Sequence, residues 1–373
     1  MYTMSKSARK QLDQLASDIK ERSQLFIGYP VATDFDYTEI HPLFNYFMNN
    51  IGDPTISSLC RLNTNEMEKE VISFYASLVG TPADDTWGYI TSGSTEGNLY
   101  GLLVARERFP EGTVYHSNAS HYSVSKNAHL LRMPVNTIKT QPQGELDYND
   151  LRSHLLKNKM KPAIIVANIG TTMSEARDDI HKIKQALSEV GITEYHIHCD
   201  AALVGSYAAF IEPKKPFDFT EGADSMAISA YKFLGIPEPC GIILTRQSLR
   251  VSHGGNVSYI GNLDSTISGS RSGHTALMIW YRLQQLGTEG IRTRYKESLD
   301  TATYTQLRLE EIGWPTWRNN GAITTMLMAP SEDVVKKWQL AIDNGWCHVI
   351  CMPGIDKERI DLFIQDLLKE QIA

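Results

Sequence analysis

The chain has 373 residues, enough for one large domain and a smaller one and enough to bury a sizeable core. Hydrophobic residues make up 42% and charged residues 21%, the balance of a folded globular chain and not of a disordered one. The formal net charge of −7 argues against nucleic acid as the main partner, and no apolar run is long enough to span a bilayer.

Residues 1–55 read as a separate N-terminal segment. It opens with a charged helix that lacks the apolar stretch of a secretory signal, followed by the loop IGYPVATDFDY. Residues 56–275 then alternate short apolar strands with amphipathic helices. Strands are expected at 87–91, 113–117, 162–169, 194–200, 224–229 and 241–246. Helices are expected at 98–109, 123–131 and 178–191. This alternation predicts an α/β domain with a mostly parallel sheet, which binds ligands at the carboxyl ends of its strands. From 276 to 373 the pattern changes to long helices around the strand AITTMLMAP, with VVKKWQLAIDNG as a further helix, predicting a smaller α+β domain. The five cysteines are scattered and form no C-x-x-C pair, so reduced thiols in the cytoplasm are expected.

Three features carry chemistry. The loop Thr91-Ser92-Gly93-Ser94-Thr95-Glu96-Gly97-Asn98 joins a strand to a helix, with small residues and three hydroxyls beside free helix N–H groups. It is neither a Walker A loop nor G-x-G-x-x-G, and alone it reads equally as a helix-capping turn or a phosphate cradle. In the strand His196-Ile197-His198-Cys199-Asp200, period-2 geometry puts both histidines and the carboxylate on one face. That face suits a metal site, or a ligand-facing Asp200 with two core histidines behind it. Lys232 ends an apolar strand within Ser229-Ala230-Tyr231-Lys232-Phe233-Leu234-Gly235, where burial lowers a lysine's pKa and makes it a usable amine nucleophile. Together they match what pyridoxal phosphate needs: an anion cradle, a carboxylate for the pyridine nitrogen and a lysine for the Schiff base. His121 near the same edge would stack on the ring, with Ala202 on the other face.

The segments T-S-G-S-T-E-G-N, S-H-Y-S-V-S-K, N-I-G-T-T, H-C-D-A-A and S-A-Y-K-F-L-G resemble, in order, the fold type I, group II amino-acid decarboxylases. The segments I-G-Y-P-V-A-T-D-F-D-Y-T and Y-I-G-N-L-D-S-T-I-S-G-S-R-S-G-H-T most resemble the bacterial pyridoxal-phosphate histidine decarboxylases, with plant serine decarboxylases next. The resemblance implies a homodimer that converts L-histidine to histamine and carbon dioxide. It implies Lys232 as the Schiff-base lysine, Asp200 as the partner of the pyridine nitrogen and His121 as the stacked imidazole. Gly93, Ser94, Thr95, Ser229, Thr171, Thr172 and Ala202 are then cofactor neighbours. Tyr259 falls in the loop that closes over the neighbouring subunit's site, and Tyr29 and Pro30 fall in the substrate segment, with 50–54 beside them. Tyr231 departs from the pattern, because the family usually carries His before the lysine.

Other outcomes remain open on sequence. They are decarboxylation of serine or an aromatic amino acid, a different reaction on the same cofactor, a metal-dependent hydrolase on His196, His198 and Asp200, and a cofactor-binding protein without turnover. Arg271 in G-S-R-S-G-H reads as a surface salt bridge or as an interface or anion contact, with Ser270 beside it.

Overall fold

The computed structural model describes residues 3–251 and 256–372. In chain order, α1 (Lys6–Gln24) and α2 (Asn65–Leu78) precede β1 (Thr86–Thr91), α3 (Ser94–Arg108) and β2 (Thr113–Ser117). Next come α4 (Ser123–Leu130), β3 (Val135–Ile138), α5 (Tyr148–Lys157), β4 (Ala163–Asn168) and α6 (Ile180–Val190). β5 (Tyr195–Asp200), β6 (Ser225–Ile228), α7 (Ala230–Phe233) and β7 (Gly241–Arg246) complete the run. After them come β8 (Asn256–Val257), β9 (Asn262–Leu263), α8 (Gly273–Glu311), β10 (Thr316–Trp317) and β11 (Thr324–Met328). The last are α9 (Glu332–Trp338), β12 (Ile342–Asp343), β13 (Trp346–Ile350) and α10 (Lys357–Ile372). The chain divides into two units, Asp34–Lys296 and the combination of Met1–Thr33 with Glu297–Ala373.

The larger unit is built on a seven-stranded sheet in the order β1-β7-β6-β5-β4-β2-β3. β3, β2, β4, β5 and β6 pair in parallel. β7 is antiparallel to both β6 and β1, so β1 runs the same way as the parallel five. The carboxyl ends of β1, β2, β4, β5 and β6 therefore share one edge. β4 is buried along its whole length, as its run of Ala, Ile and Val requires of a central parallel strand.

Local sequence explains the helix ends. Asp147 caps α5 through the N–H groups of Asn149 and Asp150, and Asp179 caps α6 through those of His181 and Lys182. α3 differs, because no side chain caps its start. α3 also lies very close to the sheet. A Cβ on Gly101 would sit 2.2 Å from Nδ1 of His198, so only glycine admits that imidazole.

In the smaller unit, β10, β11, β13 and β12 form an antiparallel sheet. The helix expected over VVKKWQLAIDNG ends early, at Trp338, where Gln339 turns left-handed. Beyond it, Ile342–Asp343 pairs with β13, and Asp343 faces Trp346 across Asn344-Gly345. Asn344 and Gly345 both have positive φ, 50° and 79°. Asn-Gly selects the hairpin turn, and that local preference overrides the helical pattern.

Candidate active site

The edge where the carboxyl ends of β1, β2, β4, β5 and β6 meet gathers the main residues singled out above. β1 runs into Ser92 and Gly93, and Gly93 takes φ 148° with open space where a Cβ would stand. α3 starts at once with Ser94, so half of the expected loop is the first helical turn. Glu96 folds back to close it, accepting from the Ser92 N–H at 2.9 Å and the Ser92 hydroxyl at 2.7 Å. Its other oxygen accepts from the Tyr89 hydroxyl at 3.0 Å. Ser92 thus commits its proton to Glu96, which narrows the three hydroxyls expected here to two. Ser94 Oγ lies 2.7 Å from Ser229 Oγ, tying the start of α3 to the end of β6. Burial pushes the pKa of the Tyr231 phenol up, and Ser229 opposes that shift. The uncapped helix start and its positive dipole end are left for an anion.

Asp200 closes β5, with a one-way chain of hydrogen bonds behind it. Asn98 Nδ2 donates to Asp200 Oδ2 at 2.8 Å, so Asn98 Oδ1 must accept from His198 Nε2 at 2.9 Å. His198 Nδ1 then accepts from the Ser225 hydroxyl at 2.8 Å, and Ser225 accepts from His196 Nε2 at 2.9 Å. The polarity leaves His196 Nδ1 as a bare acceptor, and that buried atom has no partner. Register explains the meeting, since His198 pairs directly with Ser225 across β5 and β6. Burial holds both imidazoles neutral, with each pKa pushed down to about 3. The second oxygen of Asp200 accepts from the Ala202 N–H at 3.3 Å.

Lys232 sits on α7, the single turn after β6. Desolvation lowers its pKa, and the Asp200 carboxylate opposes that shift. His121 is half-buried, and its Nδ1 meets Ser123 Oγ at 2.8 Å. Desolvation lowers its pKa, with Asp200 pulling up and Lys232 pushing down, so the three groups share one field. Thr171 is buried and spends its hydroxyl within its own turn, on Ser174 and the Ala176 N–H, while Thr172 is exposed.

The other expected residues have their own settings. Tyr259 is 81% exposed, between β8 and β9. Tyr29 and Pro30 belong to the smaller unit. In the segment 50–54, Asn50 donates to Glu68, and Asp53 takes Trp87 Nε1 and Arg250. Arg271 is no surface residue: it is 7% exposed and pairs with the buried Glu68 carboxylate. His196, His198 and Asp200 share a face as expected, yet no group of three His, Cys, Asp or Glu among the described residues is placed to hold a metal. Asn98 and Ser225 were not singled out from sequence. The available signal was helical spacing, since Asn98 lies four residues after Ser94, on the same side of α3.

These groups fit pyridoxal 5′-phosphate. The uncapped start of α3 suits its phosphate, the carboxylate of Asp200 its ring nitrogen, and the desolvated amine of Lys232 its aldehyde. Such a cluster on such a sheet defines a fold type I enzyme dependent on that cofactor. The model of the pyridoxal-dependent decarboxylase conserved domain matches residues 45–313. The chain belongs to this family of decarboxylases. It is 41% identical to a histidine decarboxylase of Mesorhizobium japonicum, over 96% of this chain and 97% of the relative. It is 39% identical to serine decarboxylase 3 of Oryza sativa subsp. japonica, over 95% of this chain and 80% of the relative. Its fold matches the L-methionine decarboxylase of Streptomyces sp.590 with a TM-score of 0.91, at 24% identity, over 99% of this chain and 96% of that one.

Proposed function

We propose that the chain decarboxylates L-histidine to histamine and carbon dioxide, with pyridoxal 5′-phosphate carried on Lys232. The observation that carries the site assignment is the meeting of Lys232, Asp200 and His121 in one electrostatic neighbourhood at the sheet edge. The substrate reading is supported by the Mesorhizobium histidine decarboxylase, matched end to end, and by the two N-terminal and loop segments quoted above. Serine is the second substrate, favoured by the nearly equal identity to the rice enzyme.

When bound, the cofactor supplies an electron-accepting ring for the electron pair left as the carboxylate departs. Lys232, partly desolvated, favours the neutral amine that attacks a carbonyl carbon. Asp200 would hold a proton on the ring nitrogen, and its two carboxylate oxygens are fixed by Asn98 and by the Ala202 N–H. His121, held by Ser123, would stack on one face of the bound ring, with Ala202 on the other. Gly93, Ser94, Thr95 and Ser229 would hold the phosphate, with Tyr231 in the place of the usual His, and Thr172 would border the ring. The proton returned to the substrate Cα comes from Tyr259, His121 or Lys232, and Tyr29 and Pro30 line the substrate.

The same reading makes the enzyme a cytoplasmic homodimer. Tyr46, Phe47, Leu59 and Leu62 are exposed in the larger unit together with Tyr259, an apolar display that a second copy would cover. All five cysteines are free thiols, in keeping with a reducing compartment.

The test is to incubate the purified protein and pyridoxal phosphate with L-histidine, L-serine and L-tryptophan separately, measuring carbon dioxide and amine. Histamine formed in preference to ethanolamine and tryptamine supports the reading. Preferential ethanolamine replaces the substrate, and an aldehyde or keto acid in place of amine overturns the reaction.

A further inference from the structure

Lys232 has a short support: α7 has only four residues. Its leading side is pinned by backbone, with the Ser229 N–H on Ala202 O at 3.0 Å and the Ala230 N–H on Cys240 O at 3.1 Å. Its trailing side has no such partners among the described residues. The carbonyls of the next three residues are each taken by a side chain from far away in sequence. Arg294 Nη2 donates to Phe233 O at 2.9 Å, Arg282 Nε to Leu234 O at 3.2 Å, and the Tyr37 hydroxyl to Gly235 O at 3.0 Å. The carboxylate of Asp34 joins the two guanidinium groups, accepting from Arg282 Nη2 at 3.3 Å and from Arg294 Nη1. Both arginines are buried.

This convergence needs a special helix. On a straight α-helix, residues 282 and 294 would stand about 18 Å apart along the axis and about a third of a turn apart around it. α8 breaks at Gly287, at φ 55° and ψ −172°, a backbone open essentially to glycine alone. The break lies between the two arginines and lets both reach Asp34. Without that carboxylate, two buried cations would face each other, and the grip on residues 233–235 would be the first contact to give.

We propose that Asp34 and Tyr37 are positioning residues for Lys232. Tyr37 acts directly on the Gly235 carbonyl, and Asp34 acts through Arg282 and Arg294. This gives part of the D-F-D-Y segment a task unlike the substrate contact expected of its neighbourhood, and it rests on the reading that Lys232 carries the cofactor.

The full chain, freed of cofactor, tests this by equilibrium binding of two ligands. Pyridoxal phosphate reports cradle and lysine together. 4′-Deoxypyridoxine phosphate lacks the aldehyde and reports the cradle alone. Wild type should prefer pyridoxal phosphate, and Lys232→Ala should erase the preference. Asp34→Asn should weaken pyridoxal phosphate binding about tenfold or more, and Tyr37→Phe about threefold, with deoxypyridoxine phosphate within about twofold for both. Asp34→Glu should recover part of the loss. Equal weakening of both ligands, or no change in either, overturns the inference. If Asp34→Asn does not fold, Tyr37→Phe decides by the same criterion. A Lys232→Ala protein that keeps the preference overturns the lysine assignment itself, and the inference with it. A lost preference there, with Asp34→Asn and Tyr37→Phe unchanged, overturns the positioning role alone.

Discussion

Asn98 reaches Asp200 across the gap between α3 and β5, donating to Oδ2 at 2.8 Å, and behind it its Oδ1 accepts from His198 Nε2 at 2.9 Å. An amide flipped end for end would put its oxygen against the carboxylate, so Asp200 decides which way the amide points, and the amide in turn selects the His198 tautomer. Replacing Asn98 with Leu strands a buried carboxylate oxygen and a buried imidazole N–H together. Loss of about 1–3 kcal/mol is expected, seen as a fall in kcat/KM of about fivefold to 150-fold. Steady-state kinetics check it, and an unchanged kcat/KM would remove Asn98 from the site.

Acid should weaken the fold through the two imidazoles. His196 and His198 have folded pKa values pushed down to about 3, against an ordinary value of 6.5. Below pH ~6.5 the unfolded chain takes up protons that the folded chain refuses, so stability falls with falling pH through that window down to about 3. The slope is about 1.4 kcal/mol per pH unit for each histidine. Urea midpoints at pH 7, 6 and 5 measure it, and His196→Asn should flatten the slope by about half.

Gly101→Ala offers a steric test. The added methyl would meet His198 Nδ1 at 2.2 Å, which outweighs the helix-propensity gain of about 1 kcal/mol. A net loss of about 1–3 kcal/mol is expected. His198→Ser makes room, so the double variant should lose less than the sum of the two single ones. Thermal or chemical unfolding of the four proteins gives the coupling.

The chemistry has its own tests. Lys232→Ala should abolish turnover, and Asp200→Asn should retain some cofactor while cutting kcat severely. A normal kcat in either would remove that residue from its role. At Tyr231 the phenol can donate a hydrogen bond as the usual His can, so Tyr231→His should keep activity within about threefold, while Tyr231→Phe should weaken cofactor affinity by about the value of one hydrogen bond. Cofactor titration separates these outcomes.

What the sequence disclosed depended on where each residue finds its partner. β1, β4 and β5 are announced by their own apolar runs, and Lys232 and Asp200 by standing at strand ends. β3 is an edge strand with only Ile138 buried, so VNTI carries no run to read. α2 buries Glu68 among its apolar residues, which blurs its stripe, and only Arg271, far along the chain, explains that carboxylate. Asn98 and Asp34 escaped notice for the same reason. Their meaning lies in contacts with Asp200 and with two arginines beyond residue 280, and no local pattern announces those.

The close approach of α3 to β5 also constrains how this sequence can drift. Position 101 can gain a side chain only after position 198 has shrunk, and once 198 has lost its imidazole the hydroxyl at 225 loses its acceptor and Asn98 its donor. Substitutions at 98, 101, 198 and 225 should therefore be inherited as a set. A descendant holding only one of them would carry a worse protein than either the ancestor or the completed replacement.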